Sequence, residues 1–340
     1  MPTDEAMNST STPSRPTISI IVPAYNEEEV LPAFHERITA VVDALPYEFR
    51  FVFVDDGSRD RTAALVAELH RRDPRVELIT LSRNFGKEIA MTAGLDRASG
   101  DAVILIDADL QDPPELIPQL LETWQSGYDV VYAKRISRDG ETLFKKLTAH
   151  LFYRFVQKIS HVEIPPDTGD FRLLSRRAVD ALNGLREQHR FMQGLFAWIG
   201  YPQTAVPYHR DPRFAGTTKW NYWKLWNFAL EGITSFTIAP LKIATYFGLI
   251  VAMFAFLYGS WMILDTLIRG NPVPGYPSLM VVVLFLGGVQ LMALGVIGEY
   301  LGRMFDETKK RPLYLIAEHV KTDSTQHLQR PRQNDLELTS

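Results

Sequence analysis

The chain has 340 residues, of which 46% are hydrophobic, and its formal net charge is −4. This length can hold one full α/β domain with additional segments, and the slight negative charge gives no general attraction to nucleic acid, which is therefore not an expected partner. The sequence contains no cysteine, which excludes disulfides, thiolate metal sites and a cysteine nucleophile.

Residues 1–16 are polar and rich in Ser, Thr and Pro, which predicts a disordered leader rather than a signal peptide. Strand-like and helical patterns then alternate. The predicted strands are 18–25, 49–58, 76–82, 102–109 and 129–135, and the predicted helices are 28–45, 61–72, 87–98 and 114–124. This alternation implies βαβ crossovers and a mainly parallel sheet, so the predicted fold class is α/β.

Polar residues follow several of the predicted strands, where parallel sheets place their ligand sites. In VILIDADLQDPPE (103–115), alternation along the predicted strand would turn Asp107 and Asp109 to the same side. Two anions on one side require a cation. Helix capping is the alternative reading, and we interpret Asp112, which precedes two prolines, as such a cap. Capping of the following helix is likewise the alternative for Asp56.

The nucleotide signatures G-x-G-x-x-G and G-x-x-x-x-G-K-[ST] are absent from the expected positions, which argues against a dehydrogenase or an ATPase. Three other motifs, VPAYNEEE (22–29), VDDGSRDRT (54–62) and DADLQDPPE (107–115), resemble those of the GT-A family 2 glycosyltransferases. LSRNFGKEIAMTAGL (81–95), DTGDFRLLSR (167–176), RFAGTTKW (213–220) and GEYLGR (298–303) resemble the polyprenyl-phosphate subgroup, which includes bactoprenol glucosyltransferases and dolichyl-phosphate mannose synthases. The similarity extends over about residues 17–317.

This resemblance implies a GT-A catalytic domain over residues 17–219 and assigns roles to residues at its strand ends. A Mg²⁺ or Mn²⁺ ion is expected on Asp107, Asp109 and the Gln111 carbonyl, since these are the hard oxygen ligands that such ions prefer. The implied nucleotide-sugar contacts are Pro23, Tyr25, Glu27, Asp56 and Lys87. The implied catalytic residues are Asp107, Asp109, Arg135, Asp170 and Arg213.

Cationic residues are expected to hold the phosphates of the two substrates. The candidates for the acceptor phosphate are Arg135, Lys145, Lys146 and Arg172. Anionic lipid headgroups are the alternative partners of Lys145 and Lys146. Arg213 lies in a glycine-containing loop that resembles the mobile loop closing over the donor. Asp170 is expected to hold sugar hydroxyls or to orient Arg172, and an ordinary loop acid is the alternative.

The uncharged runs 243–264 and 276–298 are long enough to cross a bilayer, and within residues 241–303 we predict two transmembrane helices at about 243–266 and 276–299. The tryptophan-containing stretch 220–240 predicts an interfacial amphipathic helix, with ordinary domain packing as the alternative. Residues 304–321 form a strand-like extension that could pair with its own sheet or with a neighbouring subunit, and residues 322–340 predict a disordered tail. The basic residues flanking the spans predict that the catalytic domain and both termini are cytosolic.

The resemblance therefore implies an inverting, multi-pass glycosyltransferase of the bacterial inner membrane, expected as a homo-oligomer. Its expected substrates are UDP-glucose and undecaprenyl or another polyprenyl phosphate. GDP-mannose, UDP-N-acetylglucosamine or an aminopentose donor would use the same edge of the sheet, and a membrane scaffold with an inactive transferase domain is the alternative from another class.

Overall fold

The computed structural model describes residues 15–136, 168–208, 239–269 and 275–321. The strands are β1 (Thr17–Ala24), β2 (Glu48–Asp55), β3 (Val76–Leu81), β4 (Ala102–Leu105), β5 (Val130–Arg135), β6 (Thr168–Ser175), β7 (Gln203–Tyr208) and β8 (Ile316–Val320). The helices are α1 (Leu31–Val42), α2 (Thr62–Arg72), α3 (Lys87–Arg97), α4 (Ile117–Gln125), α5 (Arg176–Asn183), α6 (Met192–Trp198), α7 (Ala239–Arg269) and α8 (Tyr276–Thr308). A short 3₁₀ helix, Pro114–Leu116, precedes α4.

The described strands form one eight-stranded sheet in the order β7-β5-β6-β4-β1-β2-β3-β8. Strand pairs β1–β2, β1–β4, β2–β3 and β5–β7 are parallel. Strands β6 and β8 run antiparallel to their neighbours. The predicted mainly parallel α/β sheet is confirmed. The sequence did not predict β6, which enters between β4 and β5 although both precede it in the chain.

Both faces of the sheet are covered by helices, and the alternation of side chains along β2 shows this directly. Phe51 and Phe53 belong to a core cluster that also contains residues of α1, α2 and α4. Val52 and Val54 belong to a second cluster with residues of α3, α5 and α6. A strand that is buried on both faces reads as a continuous apolar run, which is why the sequence predicted it well.

Helix α3 packs closely on the sheet through a glycine. A Cβ atom at Gly94 would lie 2.4 Å from the Cγ2 atom of Ile21 on β1, so no larger residue fits without movement. This contact matters for the site because Lys87 is the first residue of α3.

Strand β4 ends at Leu105, four residues before the predicted end at 109. Asp107 and Asp109 therefore lie in the turn beyond the strand, and the inference from strand alternation is wrong. Leu110 has a φ of +58°, a left-handed conformation that costs a branched residue about 1–2 kcal/mol. Its side chain is buried in the first core cluster, and the Asp109 Oδ1 atom accepts a 3.1 Å hydrogen bond from the Gln111 amide, so core packing and a local bond hold the turn.

Helices α7 and α8 are long and apolar enough to cross a membrane. Their candidate spans are Ile243–Arg269, with a mean hydropathy of 2.0, and Phe285–Thr308, with a mean hydropathy of 1.4. Both helices extend beyond the predicted ends at 266 and 299. The predicted interfacial segment 220–240 lies outside the described residues, except for its last two residues, which begin α7.

Residues 309–320, here called the C-terminal strap, return from α8 to the eight-stranded sheet. Strand β8 pairs antiparallel with β3, and the Ser82 amide donates a 2.9 Å hydrogen bond to the Leu315 carbonyl. The Tyr314 hydroxyl donates to the Asp96 Oδ2 atom at 2.7 Å. The last turn of α8 is also held, because Glu307 Oε1 accepts a 2.7 Å bond from the Gln188 amide. The extension therefore pairs with the sheet of its own chain, one of the two options that the sequence left open.

Candidate active site

Three charged side chains meet beyond the carboxyl end of β4. The Lys87 ammonium lies 2.7 Å from Asp107 Oδ2 and 2.5 Å from Asp170 Oδ2. Asp107 follows β4, and Asp170 lies on β6, which pairs with β4 and so brings the second carboxylate alongside the first. The side chains of Lys87, Asp107 and Asp170 are 43%, 28% and 14% exposed. This arrangement places a shared cation between two carboxylates at the edge of the sheet where the sequence predicted a site.

The local environment shifts the pKa values of the two carboxyl groups in opposite directions. Burial raises the pKa of Asp107 above its ordinary value, and the nearby Lys87 only partly opposes this. Burial would also raise the pKa of Asp170, but the Lys87 ammonium outweighs burial and lowers it. Asp170 is therefore an ionised acceptor at neutral pH. Its Oδ1 atom is buried without a hydrogen-bond partner among the described residues.

The loop before α3 is fixed by Asp56. The Asp56 carboxylate, which is 2% exposed, accepts hydrogen bonds from the Phe85 amide at 2.7 Å and the Gly86 amide at 2.9 Å. Gly57 allows the close approach, because a Cβ atom there would lie 2.5 Å from the Arg83 carbonyl carbon. Asp56 thus fixes the backbone of the loop directly before Lys87. Its predicted contact with the nucleotide stays a prediction.

The segment after β1 meets the segment after β2 at the same edge. The Asp56 amide donates to the Ala24 carbonyl at 2.9 Å, and the Glu27 amide donates to the Thr62 hydroxyl at 2.9 Å. Asn26, with a φ of +54°, connects the two segments by accepting a 2.9 Å bond from the Arg59 amide. Pro23, Tyr25 and Glu27 are half-buried. The structure thus brings these three predicted nucleotide contacts to the same edge as Asp56.

Arg135 ends β5 and is held by Tyr208, a residue that the sequence did not single out. Its Nε atom donates a 3.2 Å hydrogen bond to the Tyr208 hydroxyl, which in turn donates to Asp112. The cap interpretation of Asp112 is wrong, because the 3₁₀ helix begins after Pro113 without a side-chain cap. The pairing depends on the register of β5 and β7, in which Arg135 lies opposite Tyr208, and no local sequence pattern encodes that register.

Arg172 belongs to β6 and is not exposed at the surface of the site. Its side chain is buried, its guanidinium stacks 3.7 Å from the centre of the Phe196 ring, and Nη2 donates a 2.7 Å bond to the Gly169 carbonyl. Burial lowers the pKa of Arg172 to about 10. The guanidinium reaches Asp170 through that residue's main-chain carbonyl, at 3.4 Å. A direct contact between Arg172 and the acceptor phosphate stays a prediction.

The predicted metal ligands Asp107, Asp109 and Gln111 lie within one turn. No group of three or more His, Asp or Glu side chains that could hold a metal occurs among the residues that the structure describes. Two carboxylates with one amide or carbonyl oxygen still fit the small protein contribution that Mg²⁺ requires, because the substrate's phosphates and water complete its ligands. Arg213, Lys145 and Lys146 lie outside the described residues.

Comparisons with known proteins agree with this architecture. The family model described as "Glycosyl transferase family 2" matches residues 19–182, and the model described as "GtrB C-terminal hairpin" matches residues 239–304. The chain is 54% identical over 301 residues to an uncharacterized glycosyltransferase of Synechocystis, covering 88% of this chain and 95% of that protein. The chain belongs to glycosyl transferase family 2.

Two further relatives of this family 2 chain carry more specific names. The bactoprenol glucosyl transferase of Shigella phage SfV is 52% identical over 299 residues, covering 88% of this chain and 97% of that protein. The prophage bactoprenol glucosyl transferase homolog of Escherichia coli is 52% identical over the same share of this chain and 98% of its own length. The resemblance drawn from the sequence motifs is confirmed, and with it the GT-A fold. The carboxylates beyond β4 are then the candidate catalytic edge of a glycosyltransferase.

Proposed function

We propose that this glycosyltransferase moves glucose from UDP-glucose to a polyprenyl phosphate, with undecaprenyl phosphate as the expected acceptor. The observation that carries the proposal is the cluster of Asp107, Asp170 and Lys87 at the catalytic edge of a GT-A sheet. The names of the Shigella phage and Escherichia coli relatives support glucose and bactoprenol as substrates. Helices α7 and α8, which are apolar enough for a bilayer, support a lipid-linked acceptor.

The reaction is a direct displacement that needs no protein nucleophile. An acceptor phosphate oxygen forms a bond to the anomeric carbon while the bond from that carbon to the nucleotide diphosphate breaks, so the anomeric configuration inverts. The acceptor phosphate is already an anion at neutral pH, and a strong general base is therefore unnecessary. The protein's task is to align the two substrates and to stabilise the charge that develops on the diphosphate.

The described residues suit this task. Asp170 is ionised and its Oδ1 atom lacks a protein partner among the described residues, which fits an acceptor for a hydroxyl of the donor sugar. Arg135 supplies a guanidinium for a phosphate group. Lys87 keeps the two carboxylates together while remaining partly exposed to the substrate side. Pro23, Tyr25, Glu27 and Asp56 are proposed to form the nucleotide pocket.

Asp107 and Asp109, with the Gln111 carbonyl, would hold the proposed Mg²⁺ or Mn²⁺ ion. When bound, such an ion supplies positive charge beside the departing diphosphate. The turn that carries these ligands is braced by the buried side chain of Leu110. This bracing keeps the two carboxylates in place before the substrate arrives, which lowers the cost of organising the site.

The proposed location is the inner membrane, with the catalytic domain and both termini on the cytosolic side. Pairing of β8 with β3 supports this topology, because the segment after α8 must lie on the same side as the catalytic sheet. In this topology α7 and α8 cross the bilayer in opposite directions, so that both ends of the pair face the cytosol. Basic residues at the end of α8, Lys309 and Lys310 among them, support a cytosolic position. Assembly as a homo-oligomer stays a prediction.

The function is tested by presenting the purified full chain with undecaprenyl phosphate and a panel of labelled nucleotide sugars in detergent. We expect Mg²⁺- or Mn²⁺-dependent formation of one glucosyl lipid from UDP-glucose. Mass spectrometry identifies the lipid product, and Asp109→Asn serves as the catalytic control. Transfer from GDP-mannose, UDP-N-acetylglucosamine or an aminopentose donor instead would overturn the sugar assignment, and a folded protein without turnover on any donor would favour the scaffold alternative.

A further inference from the structure

We infer that Tyr208 is a positioning residue for Arg135: it fixes the guanidinium at the end of β5, where that group binds a substrate phosphate. This inference rests on the proposed glycosyl transfer and goes beyond it by assigning a role to a residue outside the predicted site. It is carried by the contacts of Arg135, Tyr208, Asp112 and Gly169.

The donor chemistry of arginine orders the hydrogen bonds among these residues. An arginine side chain can only donate. The Tyr208 hydroxyl therefore accepts from Arg135 Nε, at 3.2 Å, and uses its own hydrogen to donate to Asp112 Oδ1. Tyr208 and Asp112 are 4% and 2% exposed, so their hydrogen bond is shielded from water, whereas the bond from Arg135 is partly buried. Among the described residues, this chain of bonds anchors the guanidinium through its Nε atom.

A glycine supports the guanidinium from a second side. A Cβ atom placed at Gly169 would lie 3.1 Å from Arg135 Nη2, so the guanidinium rests close to the backbone of β6, directly before Asp170. Arg135 Nε is one of five N–H donors, and the other four are the groups that can bind phosphate oxygens in pairs. Tyr208 and Gly169 together place these donors beside the carboxylate proposed to bind the sugar.

The protonation of Tyr208 fits this role. Burial and the neighbouring Asp112 raise the pKa of Tyr208, so the phenol keeps its hydrogen at neutral pH and remains a donor to Asp112. Since Tyr208→Phe removes both hydrogen bonds but retains the ring, the variant tests the anchor while preserving most of the packing. Hydrogen bonds to a charged group commonly contribute enough to change an equilibrium by about tenfold or more.

The experiment is a double-mutant cycle in the full chain with Tyr208→Phe, Arg135→Ala and the combined variant. Tyr314→Phe is the matched control, because it also removes a phenol-to-carboxylate hydrogen bond but lies at Asp96, away from the site. We expect Tyr208→Phe to lower kcat/KM for polyprenyl phosphate by roughly tenfold. In the Arg135→Ala background the same change is expected to have less than about a twofold effect, because its target is gone.

Two substrate measurements identify the phosphate that Arg135 binds. A weaker UDP affinity in Tyr208→Phe, measured by calorimetry without lipid, assigns the guanidinium to the donor diphosphate. A raised KM for polyprenyl phosphate with unchanged UDP affinity assigns it to the acceptor. Either result supports the positioning role.

Chemical labelling of Arg135 tests the inference without requiring that the protein transfers sugar. Phenylglyoxal modifies accessible arginines, and peptide mass spectrometry measures the rate at Arg135 against Arg177, whose side chain is 61% exposed, as an internal reference. We expect faster labelling of Arg135 in Tyr208→Phe than in Tyr314→Phe at equal melting temperature. Equal labelling in the two variants, or the same fold loss of activity with and without Arg135, would overturn the inference. If the unaltered chain transfers no sugar, the proposed function fails, but the labelling result still decides whether Tyr208 anchors Arg135.

Discussion

Replacing Lys87 by Met would leave two neighbouring carboxylates without their shared cation. Each of the two short ion pairs would contribute about 1.5–3 kcal/mol if fully buried. The Lys87 side chain is 43% exposed, so water screens both pairs, and a combined loss of about 1–3 kcal/mol is the reasonable expectation. For a domain of this size, such a loss lowers the melting temperature by roughly 2–10 °C.

Thermal melting of the purified protein in detergent measures this loss, with Lys134→Met, an exposed lysine of β5, as the control. The double variant Lys87→Met with Asp170→Asn adds a sharper test. Because the second change removes the repulsion between Asp107 and Asp170, the double variant should melt above Lys87→Met alone. Melting of the double variant at the sum of the two single losses would refute the view that Lys87 acts as the shared counter-ion.

Three other changes test separate parts of the structure. Asp109→Asn should preserve the melting temperature, because Asn can still accept the bond from the Gln111 amide, yet lower turnover by roughly 100-fold; near-normal turnover at saturating Mn²⁺ would contradict a ligand role. Gly94→Ala should destabilise the domain by about 1–2 kcal/mol in thermal melting, because the cost of overpacking against Ile21 exceeds the gain in helix propensity. The control Gly248→Ala on α7 should be neutral or stabilising, because no atom lies within 4 Å of the added Cβ. Ending the chain at residue 311 should lower the free energy of unfolding by about 2–4 kcal/mol in the same assay and weaken nucleotide binding, because it removes β8 and the packed side chain of Tyr314. An unchanged melting temperature would show that the strap is dispensable.

The sequence predicted the parts of the fold whose patterns are local. Strands β1 to β3 are apolar runs between turn residues, and the uncharged runs 243–264 and 276–298 are longer than the apolar stretches of ordinary core helices. The strand-like character of the extension 304–321 was also visible, and the five residues of β8 lie within it. In each case the signal depends on neighbouring residues in the chain, which a single sequence displays.

The features that the sequence did not predict depend on contacts between distant residues. Strand β6 occupies its place because it pairs with β4 and β5, and the role of Tyr208 follows from its register opposite Arg135. Asp112 looked like a helix cap because two prolines follow it, but its carboxylate accepts a hydrogen bond from Tyr208, which is 96 residues away in the chain. The turn that follows β4 was missed because Leu110 adopts a left-handed conformation that its residue type disfavours.

The C-terminal strap also determines when the catalytic sheet can be completed during synthesis. Strand β3 ends at Leu81, whereas its partner β8 begins at Ile316, after both apolar helices. At ordinary translation rates of about 5–20 residues per second, the outer edge of β3 stays open for roughly 10–50 seconds. During that interval the unpaired edge can bind other strands, and chaperones or nearby chains can compete for it. The sheet therefore reaches its final form only after the two apolar helices have left the ribosome, which couples completion of the catalytic domain to their synthesis.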